Sequence, residues 1–420
     1  MHHLAVANWA PLLFVLLVSS GLWIGTPDDA SAGGLYLEEF STSAMGTAGA
    51  GSGAMASDAG TSLHNPAGMT RLEGHQIWGG FTPGVSDIEF DKTDSPVNIG
   101  GNGGNQGGFV PLLGAGYAHK LTDRVRLGFS VYSIAGASLD PSNDWAGRNQ
   151  VTEISLLTFA TNPGVAIKIT DWLSVGGNAL IVHGNLDWKF LGPITQGQVH
   201  IENADDTNAG GMASILLEPM EGLRFGVVYQ SEVELELRGN LNVPVGEFGA
   251  LGLDLDLPMP QTVRFSTYWD ATEEIALLFS AGWEDWSTAD HVTLGVNDTG
   301  GQIPLGFQDT WRVGFGIHYR LTPDWKLTTG YSYDSSALQN KDRLASMPID
   351  EQHRLAFGAM HRLSESTQDG LIFEWAHLGK AKIRQSGLAG SYGPNEIFFF
   401  GATLNWMTPS WRETFGLAAR

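Results

Sequence analysis

The chain has 420 residues, 55 of them glycine and 14 tryptophan, with no cysteine and a formal net charge of -22. The negative balance excludes nucleic acid as a partner, because phosphates would be repelled, and the missing cysteines exclude disulfide frameworks and thiolate metal or redox sites. Mean hydropathy is close to zero, far below that of a helical membrane protein, but it suits a transmembrane barrel whose strands alternate apolar and polar residues.

Residues 9–24 are mostly apolar, with Leu12-Leu13-Phe14-Val15-Leu16-Leu17-Val18 at their centre, and Ala30-Ser31-Ala32 follows. An apolar run ahead of an Ala-x-Ala triplet has the form of a secretory signal peptide. Residues 1–32 are therefore expected to be a leader cleaved near Ala32. The leader departs from type in lacking Lys and Arg; it has only His2 and His3. No later stretch reaches about 18 apolar residues, so no transmembrane helix is expected. Residues 33–74 are rich in Gly, Ala, Ser and Met and show no period-2 pattern. They are expected to form a compact segment of short helices and turns.

Beyond residue 74 the pattern changes to segments of about ten residues that alternate in character. In Trp311–Arg320 the odd positions are Trp, Val, Phe, Ile and Tyr, and the even ones Arg, Gly, Gly, His and Arg. On a strand these are opposite faces, one suited to lipid and the other to a polar lumen. The same pattern runs through 223–230, 263–270, 275–284 and 398–406. Short turns near 121–123, 170–171, 218–221, 271–273, 321–324 and 364–366 alternate with Gly- or Asp-rich connectors near 91–107, 136–149, 189–207, 237–257, 287–306, 337–349 and 381–394. Short periplasmic turns alternating with long outer loops are the layout of an outer-membrane barrel. Aromatic residues near segment ends, such as Trp172, Trp325 and Trp406, resemble an interfacial girdle. The segments number about fourteen, so the fold is expected to be all-β: an antiparallel barrel over 75–420, with a short tail after Trp406. A soluble sandwich would alternate too; the leader, the aromatic ends and the loop asymmetry favour the barrel.

One stretch carries a resemblance. The run Gly34-Leu35-Tyr36-Leu37-Glu38-Glu39-Phe40-Ser41-Thr42-Ser43-Ala44-Met45-Gly46, with Asn65-Pro66-Ala67 further on, resembles the N-terminal hatch of the FadL/TodX-like family of outer-membrane transporters. Trp145-Ala146-Gly147-Arg148, Asp309–Tyr319 and Met347–Arg354 are similar to later motifs of that family. The resemblance implies a fourteen-stranded barrel plugged by the hatch. It implies capture of a hydrophobic molecule outside and its lateral exit through the wall at an inward kink in the third strand, and it suggests a monomer. That strand is expected near Arg124–Gly136, with Gly128 or Gly136 as candidates for the bend.

The expected function is outer-membrane transport of long-chain fatty acids or other hydrophobic compounds. An aromatic-hydrocarbon channel of the same family is the alternative; a general porin and an outer-membrane hydrolase are further ones. The hatch speaks against an open porin. No catalytic motif, cofactor or metal site is expected, and Gly51-Ser52-Gly53-Ala54-Met55-Ala56 fits a loose dinucleotide pattern without its strand or βαβ unit. The expected partners are a hydrophobic small molecule and outer-membrane lipid. Candidate ligand-binding or gating residues are Asn65, Pro66 and Ala67 in the hatch, with Leu35, Phe40 and Met45 as hydrophobic contacts. By alternation Arg126, Arg224, Arg264, Arg312 and Arg354 face inward, where a guanidinium can hold a carboxylate bidentately or pair with a lumen acid such as Glu284, Asp334 or Glu374.

Overall fold

A computed structural model describes residues 42–408 except 94–98, 193–195, 245–250 and 297–298. The leader, Leu35, Phe40 and the tail after Thr408 lie outside the described residues.

The strands are β1 (His75–Lys92), β2 (Phe109–Lys120), β3 (Val125–Leu139), β4 (Glu153–Thr161), β5 (Gly164–Lys168), β6 (Leu173–Leu191), β7 (Gln198–Met220), β8 (Leu223–Gln230), β9 (Val233–Asn242) and β10 (Leu251–Met259). They continue as β11 (Thr262–Asp270), β12 (Ile275–Glu284), β13 (His291–Val296), β14 (Thr299–Pro304), β15 (Thr310–Arg320), β16 (Trp325–Asp334), β17 (Gln352–Arg362), β18 (Thr367–His377), β19 (Ile383–Gln385) and β20 (Leu388–Thr408). Several are consecutive pieces of one wall strand: β4 with β5, β8 with β9, β10 with β11, β12 with β13, β14 with β15, and β18 with β19. Every pairing is antiparallel, and β1 pairs with β20, from His75 opposite Thr408 to Lys92 opposite Gly390. The sheet therefore closes on itself as a barrel of fourteen wall strands. Closure pairs the first wall strand with the last, so neither is left as an open edge in the hydrocarbon, where an unpaired backbone group would cost several kcal/mol.

The two faces follow the alternation. Along β15 the residues from Thr310 to Tyr319 alternate strictly between buried and exposed, and Trp311, Val313, Phe315, Ile317 and Tyr319 point outward. Phe81, Val85, Phe129, Phe265, Phe357 and Phe400 do the same on their strands. This outer face is apolar because its solvent is lipid. The inner face carries Ser, Thr, Gly, Asn and Arg.

The outer connectors correct the sequence reading. Much of 189–207, 237–257 and 381–394 continues the barrel wall above the membrane instead of looping. In Val233–Leu237 and Leu251–Leu257 the acids alternate with Val or Leu, and Val233, Leu235, Leu237 and Leu253 are buried. Counting acidic residues hides an alternation that packs these strand extensions together. Their apolar side joins Phe90, Trp145, Leu139, Ile383 and Tyr392 in one large core above the lumen.

Candidate functional site

Residues 42–74 fill the barrel as a series of tight turns, with helical pieces over Met45–Thr47, Ser52–Met55, Thr61–His64 and Pro66–Arg71. Nearly every residue from Thr42 to Thr70 is buried. Such short helices cannot stand alone; the wall holds them. Ser280 Oγ accepts from Gly51 N at 2.9 Å and Ser266 Oγ from Gly53 N at 3.2 Å. Ser214 Oγ accepts from Ala67 N at 3.0 Å, and Thr70 and Ser174 share a hydroxyl bond of 2.7 Å. These inward serines escaped the sequence reading. Their only signal is a small polar residue at the positions opposite the lipid-facing ones.

Asn65 sits where the segment turns. Its Oδ1 accepts from Ala67 N at 3.0 Å, capping the turn that Pro66 opens, as Asn at the N-cap and Pro at the first position should. Its Nδ2 donates to the carbonyls of Gly53 and, at 3.2 Å, Ile215 on β7. One side chain thus ties two hatch turns to the wall. Met45 is buried against Leu112, Met360, Ile372 and Phe399. The wall matches with glycines: a Cβ on Gly226 would strike the carbonyl of Gly53, and one on Gly330 that of Thr47.

The five arginines separate by surroundings. Arg126 is buried and donates to the carbonyl of Leu72, at 3.2 Å from Nη2. Arg312 is buried and donates from Nη2 to the carbonyl of Ala48 at 3.1 Å and to Ser332 Oγ at 3.3 Å. Both grip the hatch backbone. Arg354 lies against Asp334, donates to Gln352 Oε1 at 2.8 Å and sits 3.7 Å from Glu374. Asp334 also reaches Arg312 at 3.6 Å, so positive and negative groups alternate across four neighbouring strands. Arg224 stacks over the Tyr268 ring at 3.8 Å. Arg264 is half-buried, faces inward between exposed Val263 and Phe265, and its charge acts on Tyr132 and Glu284.

The wall is interrupted between β2 and β3. β2 pairs with β3 only from Gly114–Tyr132 down to Lys120–Arg126. Above that, Phe109–Leu113 pair with β1 alone, while Ser133–Leu139 pair with β4 alone. The chains meet again higher up, where Asp140 N donates to the Gln106 carbonyl at 2.9 Å. The result is a side window between the second and third strands. At its edge the β3–β4 register slips between Ser133 and Ala135, and Tyr132–Ala135 are buried without alternation. Neither Gly128 nor Gly136 makes this bend; both keep regular partners. Thr158 makes it tolerable instead. Its Oγ1 accepts from Ala135 N and donates to Ala135 O, each at 2.8 Å. Gly128 serves another purpose, leaving room for Met69.

A cavity of about 100 Å3 opens beside the window. Val110 and Gly136–Leu139 line it from the two window edges, and Met347–Ile349, Leu378, Ile397 and Phe399 complete an apolar wall. Arg354 and Gln352 stand at its polar end. Above it the outer segment 335–351 is pinned by Arg343, whose fully buried side chain donates to the carbonyls of Leu338, Ile349 and Lys382 and to Asp350 at 2.8 Å. Burial pulls this guanidinium below its usual range, and Asp350 acts in the opposite sense.

A closed fourteen-stranded barrel with an apolar outer face, a lumen plugged by its own N-terminal segment and a window in its side defines a plugged outer-membrane barrel. The model of the outer membrane protein transport family (OMPP1/FadL/TodX) matches residues 26–393, and the chain belongs to that family. It is 24% identical to the long-chain fatty acid transport protein of Escherichia coli strain K12, across 93% of this chain and 96% of that one. Its fold is similar to a Pseudomonas aeruginosa FadL homologue, with a TM-score of 0.81 at 17% identity, covering 89% and 100% of the two chains. It is also similar to the Pseudomonas putida toluene transporter TodX, with a TM-score of 0.67 at 15% identity, covering 90% and 99%. The protein is thus an outer-membrane transport protein.

Proposed function

We propose that this protein carries long-chain fatty acids, or hydrophobic molecules of similar shape, from outside to the side window, and that it works as a monomeric transporter and not as an enzyme. The observation that carries the reading is the apolar cavity lined by both edges of the window. Burial there stabilises an alkyl chain by roughly 0.8 kcal/mol per CH2, and the window offers a sideways route into lipid at little cost. Arg354 offers an incoming carboxylate only part of its charge, because Asp334 and Glu374 already share it. The alkyl chain therefore supplies the larger part of the affinity.

The cavity is too small to hold a whole ligand. At about 100 Å3 it is smaller than the roughly 150 Å3 apolar cavity that holds benzene in an engineered protein. Ligand entry needs its walls to part, and the Gly-rich turns of the hatch are the segment that moves. Asn65, Pro66 and Ala67 then act as the hinge, Arg126 and Arg312 as its latches, and Arg354 as the polar contact. Arg224 and Arg264 line the lumen route.

The test is uptake of labelled oleate by cells without their own outer-membrane fatty-acid transporter, with barrel folding checked by heat-modified gel mobility. Uptake that drops on replacing Asn65 and Pro66 supports the reading. A folded barrel without oleate uptake overturns the fatty-acid assignment, and toluene uptake is then the next measurement, since the relative TodX is a toluene transporter.

A further inference from the structure

The wall sector made of β17, β18, β20 and β1 carries two features that transport of a lumen ligand does not use. The first faces the membrane. A groove of about 610 Å3 crosses these strands on the outside, walled by Phe81, Phe357, Leu371, Phe373 and Phe400. Phe373 and Phe400 have ring centres 5.4 Å apart, and Leu371 is 71% exposed. Gly401 and Ala402 form part of its floor, so no side chain of the protein fills it. An apolar concavity on the hydrocarbon-facing surface is shaped for an alkyl chain.

The second feature stands above the outer end of β18, at Lys380-Ala381-Lys382-Ile383-Arg384. Ala381 and Ile383 are buried in the outer core. Lys380, Lys382 and Arg384 are exposed; Lys382 and Arg384 flank buried Ile383 on one side, and Lys380 stands before Ala381, whose φ of 35° turns the chain. The stripe is held in place. β19 pairs with β20, Arg384 N donates to Asn340 O at 2.7 Å, and Lys382 O accepts from buried Arg343. Among the described residues no carboxylate lies within ion-pair distance of the three, although the whole chain has a net charge of -22. Of the outward acids of the sector, Asp87, Glu89 and Asp91 are on β1, separated from the stripe by β20, and Glu396 on β20 lies 3.8 Å from His377.

We propose that this sector binds a phosphorylated, acylated glycolipid of the outer leaflet, with its phosphates on Lys380, Lys382 and Arg384 and an acyl chain in the groove. Lys and Arg are the residues that hold phosphate, and three exposed cations within five residues complement a diphosphorylated headgroup. The placement agrees. Phe373 to His377, the end of β18, is four residues, roughly 13 Å of extended chain or about 9 Å of height at a strand tilt near 45°, and the chain turns at Gly379 just beyond it. The stripe therefore stands beyond the outer end of β18, above the groove and on the headgroup side of it. Between them lie Trp375, His377 and His353, with His353 and His377 stacked at 6.4 Å and Trp375 and His377 at 6.0 Å. Such half-polar rings suit the interface.

The experiment uses the full chain extracted from outer membranes in mild detergent, washed with EDTA and examined by native mass spectrometry for retained host lipopolysaccharide. The intact protein keeps the lipid, and the combined Lys380→Glu, Lys382→Glu, Arg384→Glu variant loses at least about fivefold of it, from the roughly 1 kcal/mol that each surface cation contributes. Ala402→Trp, which fills the groove without touching the stripe, lowers retention as well. If the reversal blocks assembly, Lys382→Gln with Arg384→Gln carries the same readout. Equal retention by intact and variant proteins overturns the proposal. So does loss of the lipid in EDTA, which would assign it to the acids of β1 through a divalent cation. Loss of oleate capture in lipopolysaccharide-free nanodiscs, with lipid retention unchanged, would assign the stripe to the transported carboxylate and equally end the proposal.

Discussion

Arg312 on the barrel wall donates from Nη2 to the carbonyl of Ala48 in the hatch, 264 residues away in sequence and 3.1 Å away in space. Ala48 is itself in the left-handed region, at φ 51° and ψ 41°, a conformation that costs a non-glycine residue of order 1–3 kcal/mol. The hatch turn therefore persists only while the wall holds it. Arg312 is one such hold, and Asp334 fixes the guanidinium from its other side.

Replacing Arg312 by Ala should free the Ala48 turn while leaving the sheet closed. A hydrogen bond from a charged donor contributes about 1.5–3 kcal/mol, and Asp334 keeps Arg354 as a partner. Amides of the Met45–Thr47 turn should exchange with solvent roughly tenfold faster or more, since about 1.4 kcal/mol is a factor of ten. Planar-bilayer recordings should show brief openings that the intact protein lacks. Unchanged exchange at Ala48 and Gly49 would mean that the latch lies elsewhere.

The glycines of the inner wall test close approach instead of charge. Gly330→Val should fold as a barrel and displace the hatch, because the new side chain meets the Thr47 carbonyl at once. Gly79→Ala is the control, since nothing lies within 4 Å of the position of its Cβ. Overpacking of this kind costs roughly 1–3 kcal/mol. Heat-modified gel mobility should stay normal for both variants, and oleate uptake should fall only for Gly330→Val.

These contacts mark the limit of the sequence reading. The lipid face of Trp311–Arg320 is legible because its partner is a uniform solvent, which asks only for apolar residues at period two. The lumen has no uniform partner. Ser266, Ser280 and Gly226 face a folded plug, so their identities follow the shape of the plug, and a serine in a strand carries no periodic signal. The arginines illustrate the same limit. Alternation turns Arg126, Arg312 and Arg354 inward, but only the packed hatch puts Leu72 and Ala48 within reach of the first two. The bend in the third strand escaped for another reason. Glycine is the usual cue for irregular backbone, and here a threonine on the neighbouring strand satisfies the irregular residue.

That threonine gives a direct test of the window. Thr158→Val keeps the shape of the side chain and removes both hydrogen bonds to Ala135, leaving a buried N–H and carbonyl unpaired at about 1–3 kcal/mol. The bulge at Ile134 should then relax or fluctuate. At equal barrel content, oleate uptake should fall severalfold, whereas Thr158→Ser, which retains the hydroxyl, should transport normally. Equal uptake by all three proteins would separate the bulge from transport.

Arg343 makes the last prediction, on the outer side. Its side chain is fully buried and holds the Leu338 and Ile349 carbonyls and Asp350 within the segment that forms one wall of the cavity, and ties that segment to the Lys382 carbonyl. Arg343→Met keeps the length of the side chain and removes the charge, so half-buried Asp350 loses its ion-pair partner and keeps only the Ser336 hydroxyl. Breaking a fully buried pair typically costs about 3–5 kcal/mol, and the partial exposure of Asp350 with its retained Ser336 bond sets the cost at or below the low end of that range. The cost should fall on the outer segment and not on the membrane wall, because Arg343 touches no lipid-facing strand below Asp350. Trypsin added to intact cells should spare the native protein and cut the variant after exposed Lys341, with the barrel remaining heat-modifiable. If transport needs the Met347–Ile349 wall to part from the cavity, the same variant should bind oleate faster and release it faster. A loosened segment with unaltered ligand kinetics would instead place the entry route away from this wall.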